Sequence, residues 1–260
     1  MKKFWLLGIM AAFVMGSAAS MTSCDMIIER FTYDDAKKYS VGEASIAQSV
    51  TDLEIDWLTG SVNVVYGDVE HVSFSESAEE SLTEAYTVHY WLENTTLHVK
   101  YAESGIQLTN VDVPDKDLVV TLPAALALNT LEIDSVAAKI TLTDIKANEV
   151  EIDNISGNVE ASFASVREFS IDGVSGNANL RFATAPIEGE YHNVSGDITV
   201  YLPEDTGFTA EVEKLNGGFQ SDFETVKRGN EYICGSGANR YEFEMVSGKV
   251  SILKLTNGNA

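Results

Sequence analysis

The most regular chemistry in this sequence lies in acidic side chains that recur at fixed distances from a set of small turn motifs. Counting back six residues from the third position of each turn gives Glu54, Glu132, Glu151, Ser170, Glu190, Glu211 and Glu242. Counting back four gives Asp56, Asp134, Asp153, Asp172, His192, Glu213 and Glu244. Carboxylates arranged in this way can coordinate a cation, attract a basic partner, or pair as acid and base in glycoside cleavage. Hydroxyls and amides follow the same turns at Thr141, Asn158, Ser162, Asn177, Asn179, Thr199 and Ser251, a set suited to gripping sugar hydroxyls. The candidate cation- or partner-binding face is therefore Glu132, Asp134, Glu151, Asp153, Asp172, Glu190 and Glu211. The candidate polar binding face is Asn158, Asn177 and Asn179. The plainer account of the acids is a solvated surface that also keeps strand edges from pairing.

Other reactive groupings are sparse. The four histidines, His71, His89, His98 and His192, include no pair three to five residues apart and no zinc-like spacing with Cys or Glu. His89 and His98 flank Glu93-Asn94-Thr95, where a hairpin turn would set them facing each other across two strands. No phosphate-binding glycine loop occurs, and a serine that recurs in four of the seven turns marks turn geometry, not a nucleophile. Basic residues are scattered, and the Gly-Gly-x-Gly-x-Asp pattern of calcium-binding β-rolls is missing. The expectation is a non-enzymatic protein without cofactor or metal, with a carbohydrate-active enzyme as the alternative.

The acids stand where they do because the chain repeats. Asn154-Ile155-Ser156-Gly157 returns as Gly173-Val174-Ser175-Gly176 and Asn193-Val194-Ser195-Gly196, then as Lys214-Leu215-Asn216-Gly217 and Met245-Val246-Ser247-Gly248. Val136-Ala137-Ala138 has lost its glycine, and Leu58-Thr59-Gly60 is an outlying copy. From position 138 to 248 the steps are 19, 19, 20, 21 and 31 residues. Apolar columns appear in register. Five before the glycine stand Ile55, Ile133, Ile152, Ile171, Tyr191, Val212 and Phe243. Two before it stand Leu58, Val136, Ile155, Val174, Val194, Leu215 and Val246. Two after it stand Val62, Ile140, Val159, Ala178, Ile198, Phe219 and Val250. Alternation with period two predicts strands, and the Ser-Gly pair predicts a turn whose glycine takes positive φ. Strand, turn and strand repeated every 20 residues or so predict a β-solenoid, in which like residues stack about 4.8 Å apart. A β-sandwich would not require matching residue classes at matching positions. Both acidic columns flank the inward column at minus five, so both face outward on one side.

The predicted organisation is a signal peptide over 1–23, a tether over 24–40 and an N-terminal β part, a meander or cap, over 41–121. The repetitive part follows over 122–255, with a tail over 256–260. The long final step places an extra hairpin or loop within 225–240. The start of the chain reads as an export signal: Lys2 and Lys3 precede an apolar run from Phe4 to Met15, too short to span a bilayer comfortably. Small residues lead to Met21-Thr22-Ser23-Cys24, similar to the lipobox that precedes an acylated cysteine, although Met21 replaces the usual Leu. Cleavage after Ser20 is the alternative. Only two cysteines occur. If Cys24 carries lipid, Cys234 has no partner within the chain, and disulfides do not hold the fold together. The formal net charge is −23. A chain starting at Cys24, with 15 basic and 40 acidic residues, carries −25. Like charges repel nucleic acid and anionic lipid headgroups, so nucleic-acid binding is disfavoured.

Trp57-Leu58-Thr59-Gly60-Ser61-Val62, the recurrent Val-Ser-Gly turns and the strand ends Leu122-Pro123 and Leu202-Pro203 carry a resemblance. Together with Tyr241-Glu242-Phe243 and Val246-Ser247-Gly248-Lys249-Val250, they resemble bacterial putative-adhesin domains over roughly residues 41 to 255. The resemblance implies an all-β, right-handed β-solenoid on exported proteins, often lipoproteins, and it carries over no catalytic residue. The function expected is a lipid-anchored module at the cell envelope or surface, binding an envelope polymer, glycan or protein. A purely structural spacer is a further alternative.

Overall fold

The computed structural model describes residues 30–108 and 113–256. The signal peptide, Cys24 and residues 257–260 lie outside the described residues. Those described form an all-β protein, with helix confined to the short 3-10 turns Ala36–Lys38 and Glu84–Tyr86.

The repeat becomes a stack of parallel coils. Ile140 pairs with Val159, Val159 with Ala178, and Ala178 with Ile198. On the other side of each turn Ile55 pairs with Ile133, Ile152 with Ile171, and Ile171 with Tyr191. These side chains are all buried. Each is worth about 1.5–3 kcal/mol on leaving water, so the columns supply most of the drive to stack. The strand Leu128–Ser156 belongs to two coils, and its bulge between Leu142 and Lys146 is where it turns the corner. There Asp144 takes a φ of 53°.

The turns hold the coils at their closest approach. Gly176 has a φ of 126°, and a Cβ there would land on the carbonyl oxygen of Gly157 in the coil beneath. Only glycine tolerates both the angle and the contact. Gly196 stands in the same relation to Gly176. Where the turn at position 138 has alanine, it is the coil above that approaches, through Gly157.

One inward column differs from expectation. Alternation continues from minus five to minus three, so Trp57, Ser135, Asn154, Asn193 and Met245 are buried. The apolar residues at minus two mostly turn outward: Val136, Ile155, Val174 and Val194 are half-buried, and Val246 is 45% exposed. Leu58 is enclosed, at 6%. The buried asparagines serve the turns. Asn154 Nδ2 donates to Ala138 O at 3.2 Å, and Asn193 Nδ2 donates to Gly176 O at 3.2 Å.

The coils do not stack in chain order at either end. Glu188–Ser195 pairs on its far side with Asn239–Ser247, and Phe208–Asn216 lies beyond that strand. Likewise Ile198–Leu202 pairs with Val250–Lys254, and Phe219–Ser221 lies beyond. The last segment of the chain is thus slotted between two earlier ones. The long step of 31 residues is the path out to the end coil and back. The expected hairpin exists as Val226–Arg228 with Glu231–Cys234, but it closes the edge of Phe208–Asn216 rather than projecting. At the other end Asp52–Gly67 is itself a coil, packed on Leu128–Ser156. Thr96–Lys100 and Lys116–Pro123 lie outside it, in parallel. The stack therefore begins well before residue 122. Antiparallel His89–Glu93 pairs with Thr96–Lys100, and Val72–Ala78 with Lys116–Pro123.

The segment expected as a tether joins the domain from Arg30 on. Arg30–Phe31 pairs with Ile106–Gln107, and Phe31 is buried. Asp34, Asp35, Lys37 and Lys38 do lie in water.

Candidate binding face

Both acidic columns lie side by side along one face, half-buried between neighbouring strands except at Glu213 and Glu244, which are exposed. In space the first runs Glu54, Glu132, Glu151, Ser170, Glu190, Glu242, Glu211, and the second Asp56, Asp134, Asp153, Asp172, His192, Glu244, Glu213. All seven acidic candidates from the sequence thus share this face. The rearranged end coil exchanges the order of the last two members in each column.

Lys100 and His98 close one end. Lys100, buried on the outer strand Thr96–Lys100, donates from Nζ to Glu54 Oε1 at 2.9 Å and Asp56 Oδ2 at 2.6 Å. His98 Nδ1 lies 2.9 Å from Glu54 Oε2. Burial alone would raise the Glu54 carboxyl, but these two partners hold it down to about 2. His98 stands opposite Trp91, and His89 opposite Lys100, so the two histidines do not face each other as the hairpin spacing implied. The register of the hairpin sets this: Asn94, with φ 56°, turns the chain between Glu93 and Thr96.

One layer further in, Lys100 offsets only part of the strain. Burial pushes the Glu132 carboxyl up to about 7, and Glu54 and Glu151 add repulsion. Burial also pushes Asp134 up to about 8, reinforced by Asp56 and Asp153. Near neutral pH the centre of this face therefore carries carboxyl groups on the edge of ionisation, ready to take up positive charge or a proton.

The far end is organised differently. Arg240 Nη2 donates to Glu211 Oε2 at 3.0 Å, and Asn230 Nδ2 reaches Glu211 Oε1 at 3.0 Å and Glu213 Oε1 at 3.1 Å. Between the two ends, His192 Nδ1 lies 2.8 Å from Asp172 Oδ1. That hydrogen bond raises the imidazole pKa against the opposing effect of burial.

The amide side of the turn is partly committed to the stack. Asn158 Oδ1 accepts the Asn177 N–H at 2.9 Å, Asn177 Oδ1 accepts the Asp197 N–H at 2.8 Å, and Asp197 Oδ1 accepts the Lys249 N–H at 2.8 Å. Their oxygens tie coil to coil, which leaves only the NH2 groups of Asn158 and Asn177 for a ligand. Asn179 is half-buried with its Oδ1 enclosed. Ser162 Oγ accepts from Asp144 N at 2.8 Å and donates to Asp144 Oδ1 at 3.0 Å, so it fixes the corner.

Sequence reasoning missed Lys100 and Lys116. Each sits in an alternating strand, and an isolated lysine there gives no sign of facing inward. Lys116 Nζ is wholly enclosed, bound to Glu76 Oε2 at 2.6 Å, Tyr86 O at 2.7 Å and Tyr101 O at 2.5 Å, with Trp57 and Tyr101 rings beside it. Asn154 and Asn193 could have been found, because Asn-x-Ser-Gly recurs at both turns. Cys234 is a free, half-buried thiol whose pKa burial pushes up, which makes it a poor nucleophile.

The model of the family described as Toastrack DUF4097 matches residues 61–253. No curated protein matches the sequence. Among solved structures, a putative cell adhesion protein from Clostridium sporogenes is 16% identical with a TM-score of 0.48, and the match covers 84% of this chain and 99% of that one. A putative adhesin from Bacteroides fragilis is 11% identical with a TM-score of 0.38, covering 84% and 98%. A putative adhesin from Parabacteroides distasonis is 14% identical with a TM-score of 0.36, covering 84% and 97%.

Proposed function

The chain belongs to the Toastrack DUF4097 family, and from that premise we propose an adhesin-like binding module of the cell envelope, anchored outside the cytoplasm through acylated Cys24. Its coils of about 20 residues wind as a right-handed β-solenoid, and its carboxylate face docks cationic groups of an envelope polymer or protein. One observation carries the reading: Glu132 and Asp134 are half-buried among further carboxylates, while Lys100 gives its hydrogen bonds to Glu54 and Asp56 and offsets only part of the repulsion on this layer. A basic partner supplies the missing charge and gains from every layer of the columns at once.

Among the described residues no helix is long and apolar enough to cross a membrane. Attachment in this reading rests on the lipid, and mass spectrometry of the mature N-terminus tests it. Acylated Cys24 is expected, and Cys24→Ala should leave the membrane fraction; a mature chain beginning at Met21 without acyl groups refutes the anchor. For the face, polylysine serves as the probe. Changing Glu132, Asp134, Glu151 and Asp153 to amides should weaken its binding at least tenfold, and rising salt should weaken wild-type binding, since exposed charges are screened within about 8–10 Å near physiological ionic strength. Glycan binding lost on Asn158→Ala, Asn177→Ala and Asn179→Ala, with the acidic variant unaffected, moves the function to the amide side.

A further inference from the structure

The intercalated end coil creates a cluster that chain order does not suggest. His192 lies on Glu188–Ser195, and its neighbour in the next strand is Glu244, with Glu190 beside Glu242. One ligand atom from each of His192, Glu242 and Glu244 falls within 4.8 Å of the others. We propose that these three residues bind a divalent transition-metal cation of the zinc class.

Three features support the assignment. First, the donor set is mixed. An imidazole with two carboxylates suits zinc-like ions, whereas calcium prefers oxygen ligands alone. Second, the imidazole is already oriented. Its Nδ1 is held by Asp172 at 2.8 Å, which leaves Nε2 for the metal, the arrangement in which an outer carboxylate fixes a ligating histidine. Third, the two glutamates are uncommitted. Glu211 and Glu213, in the next strand, are bound by Arg240 and Asn230. Among the described residues Glu242 and Glu244 have no hydrogen-bond or salt-bridge partner. The histidine and both glutamates rise from adjacent strands of one rigid sheet, so only side-chain rotation is needed to reach bonding distances of about 2.0–2.2 Å. The remaining coordination positions face solvent and fall to water or a partner's donor.

This proposal stands apart from the docking of a basic partner, because it concerns a different stretch of the face and a different ligand. Calorimetric titration of the full chain with zinc chloride tests it. The wild type should bind one equivalent. His192→Gln and, separately, Glu242→Gln with Glu244→Gln should each lower affinity at least tenfold, while Glu79→Gln with Glu80→Gln, at exposed positions away from both columns, should retain it. Calcium chloride should bind at least tenfold more weakly than zinc. Zinc binding unchanged in His192→Gln overturns the site, as does calcium binding of equal strength that ignores the histidine. Should His192→Gln fail to fold, the single change at exposed Glu244 decides the matter. Zinc binding that persists while polylysine binding is absent leaves the site standing and removes only the docking reading.

Discussion

Consider Glu132 and Asp134 replaced together by glutamine and asparagine. In the folded protein their carboxyls titrate at about 7 and about 8, against ordinary values of 4.5 and 3.8. A raised carboxyl pKa means that the folded state holds more protons than the unfolded one between the two values. Stability is then fully present below about pH 4 and drains away as pH climbs through 7 to 8. At about 1.4 kcal/mol per pKa unit the full shifts amount to roughly 3 and 6 kcal/mol. Both groups are partly open to solvent and repel each other as well as Glu54 and Asp56, so screening and sharing reduce the joint penalty to about 2 kcal/mol at pH 8. The amides carry no charge and escape it. For a chain of this size 1 kcal/mol moves Tm by about 2–4 °C, so the variant should melt about 4–8 °C above wild type at pH 8. At pH 5 the advantage should shrink severalfold, because the folded carboxyls are then protonated and only the early part of the unfolded-state ionisation opposes folding. Thermal unfolding followed by circular dichroism at pH 5, 6.5 and 8 in low salt provides the measurement. An advantage that is equal at pH 5 and pH 8, or a variant less stable at pH 8, refutes the argument that these carboxyls are strained by burial and mutual repulsion.

Gly176→Ala should cost at least about 3 kcal/mol in chemical denaturation, since it forces a strained φ and drives a methyl group into the Gly157 carbonyl; a loss below 1 kcal/mol would show that the turns can spread. Lys116→Met should cost about 3–5 kcal/mol by stranding Glu76 and two backbone carbonyls, and adding Glu76→Leu should recover part of it; a double variant weaker than the single one would contradict this. Ile152→Asp, at a site with 0% exposure, should unfold the protein, whereas Val226→Asp, at 61% exposure, should change its Tm by less than about 2 °C. Equal losses from that pair would mean that inward and outward positions have been confused.

What the sequence disclosed was whatever a period can carry. The inward residues Ile133, Ile152 and Ile171 and the outward carboxylates beside them followed from alternation and a constant step. The cap over the first coils was expected from the edge problem alone. Three things stayed hidden, each for a physical reason. Asn154 and Asn193 are inside because the strand runs straight through minus three, and their polarity disguised a position that backbone carbonyls make hospitable. Asn158 and Asn177 looked like ligand donors because a side chain bonded to the next coil cannot be told from a free one without the register. The exchange of the last two coils was invisible because Val212 and Phe243, or Glu211 and Glu242, are equivalent by residue class. Nothing local says which of them touches Tyr191.

That exchange changes what the end of the chain means. In a simple repeat array the C-terminal unit is the outermost, and the array can be lengthened or trimmed there one unit at a time. Here Asn239–Ser247 and Val250–Lys254 are an interior layer. During synthesis the end coil Phe208–Ser221 emerges before the layer that must lie beneath it, so it has to wait apart from the stack or dock early and lift again. Completion of the fold therefore waits on synthesis of Asn239–Ser247 and Val250–Lys254, and a chain cut ahead of Asn239 loses a middle course rather than a cap. The two sheet edges left facing each other across that gap would be long, parallel and unprotected, a template for a strand from another molecule. Growth of this architecture by duplication has to occur in the middle of the sequence, where neighbours in the chain are neighbours in space.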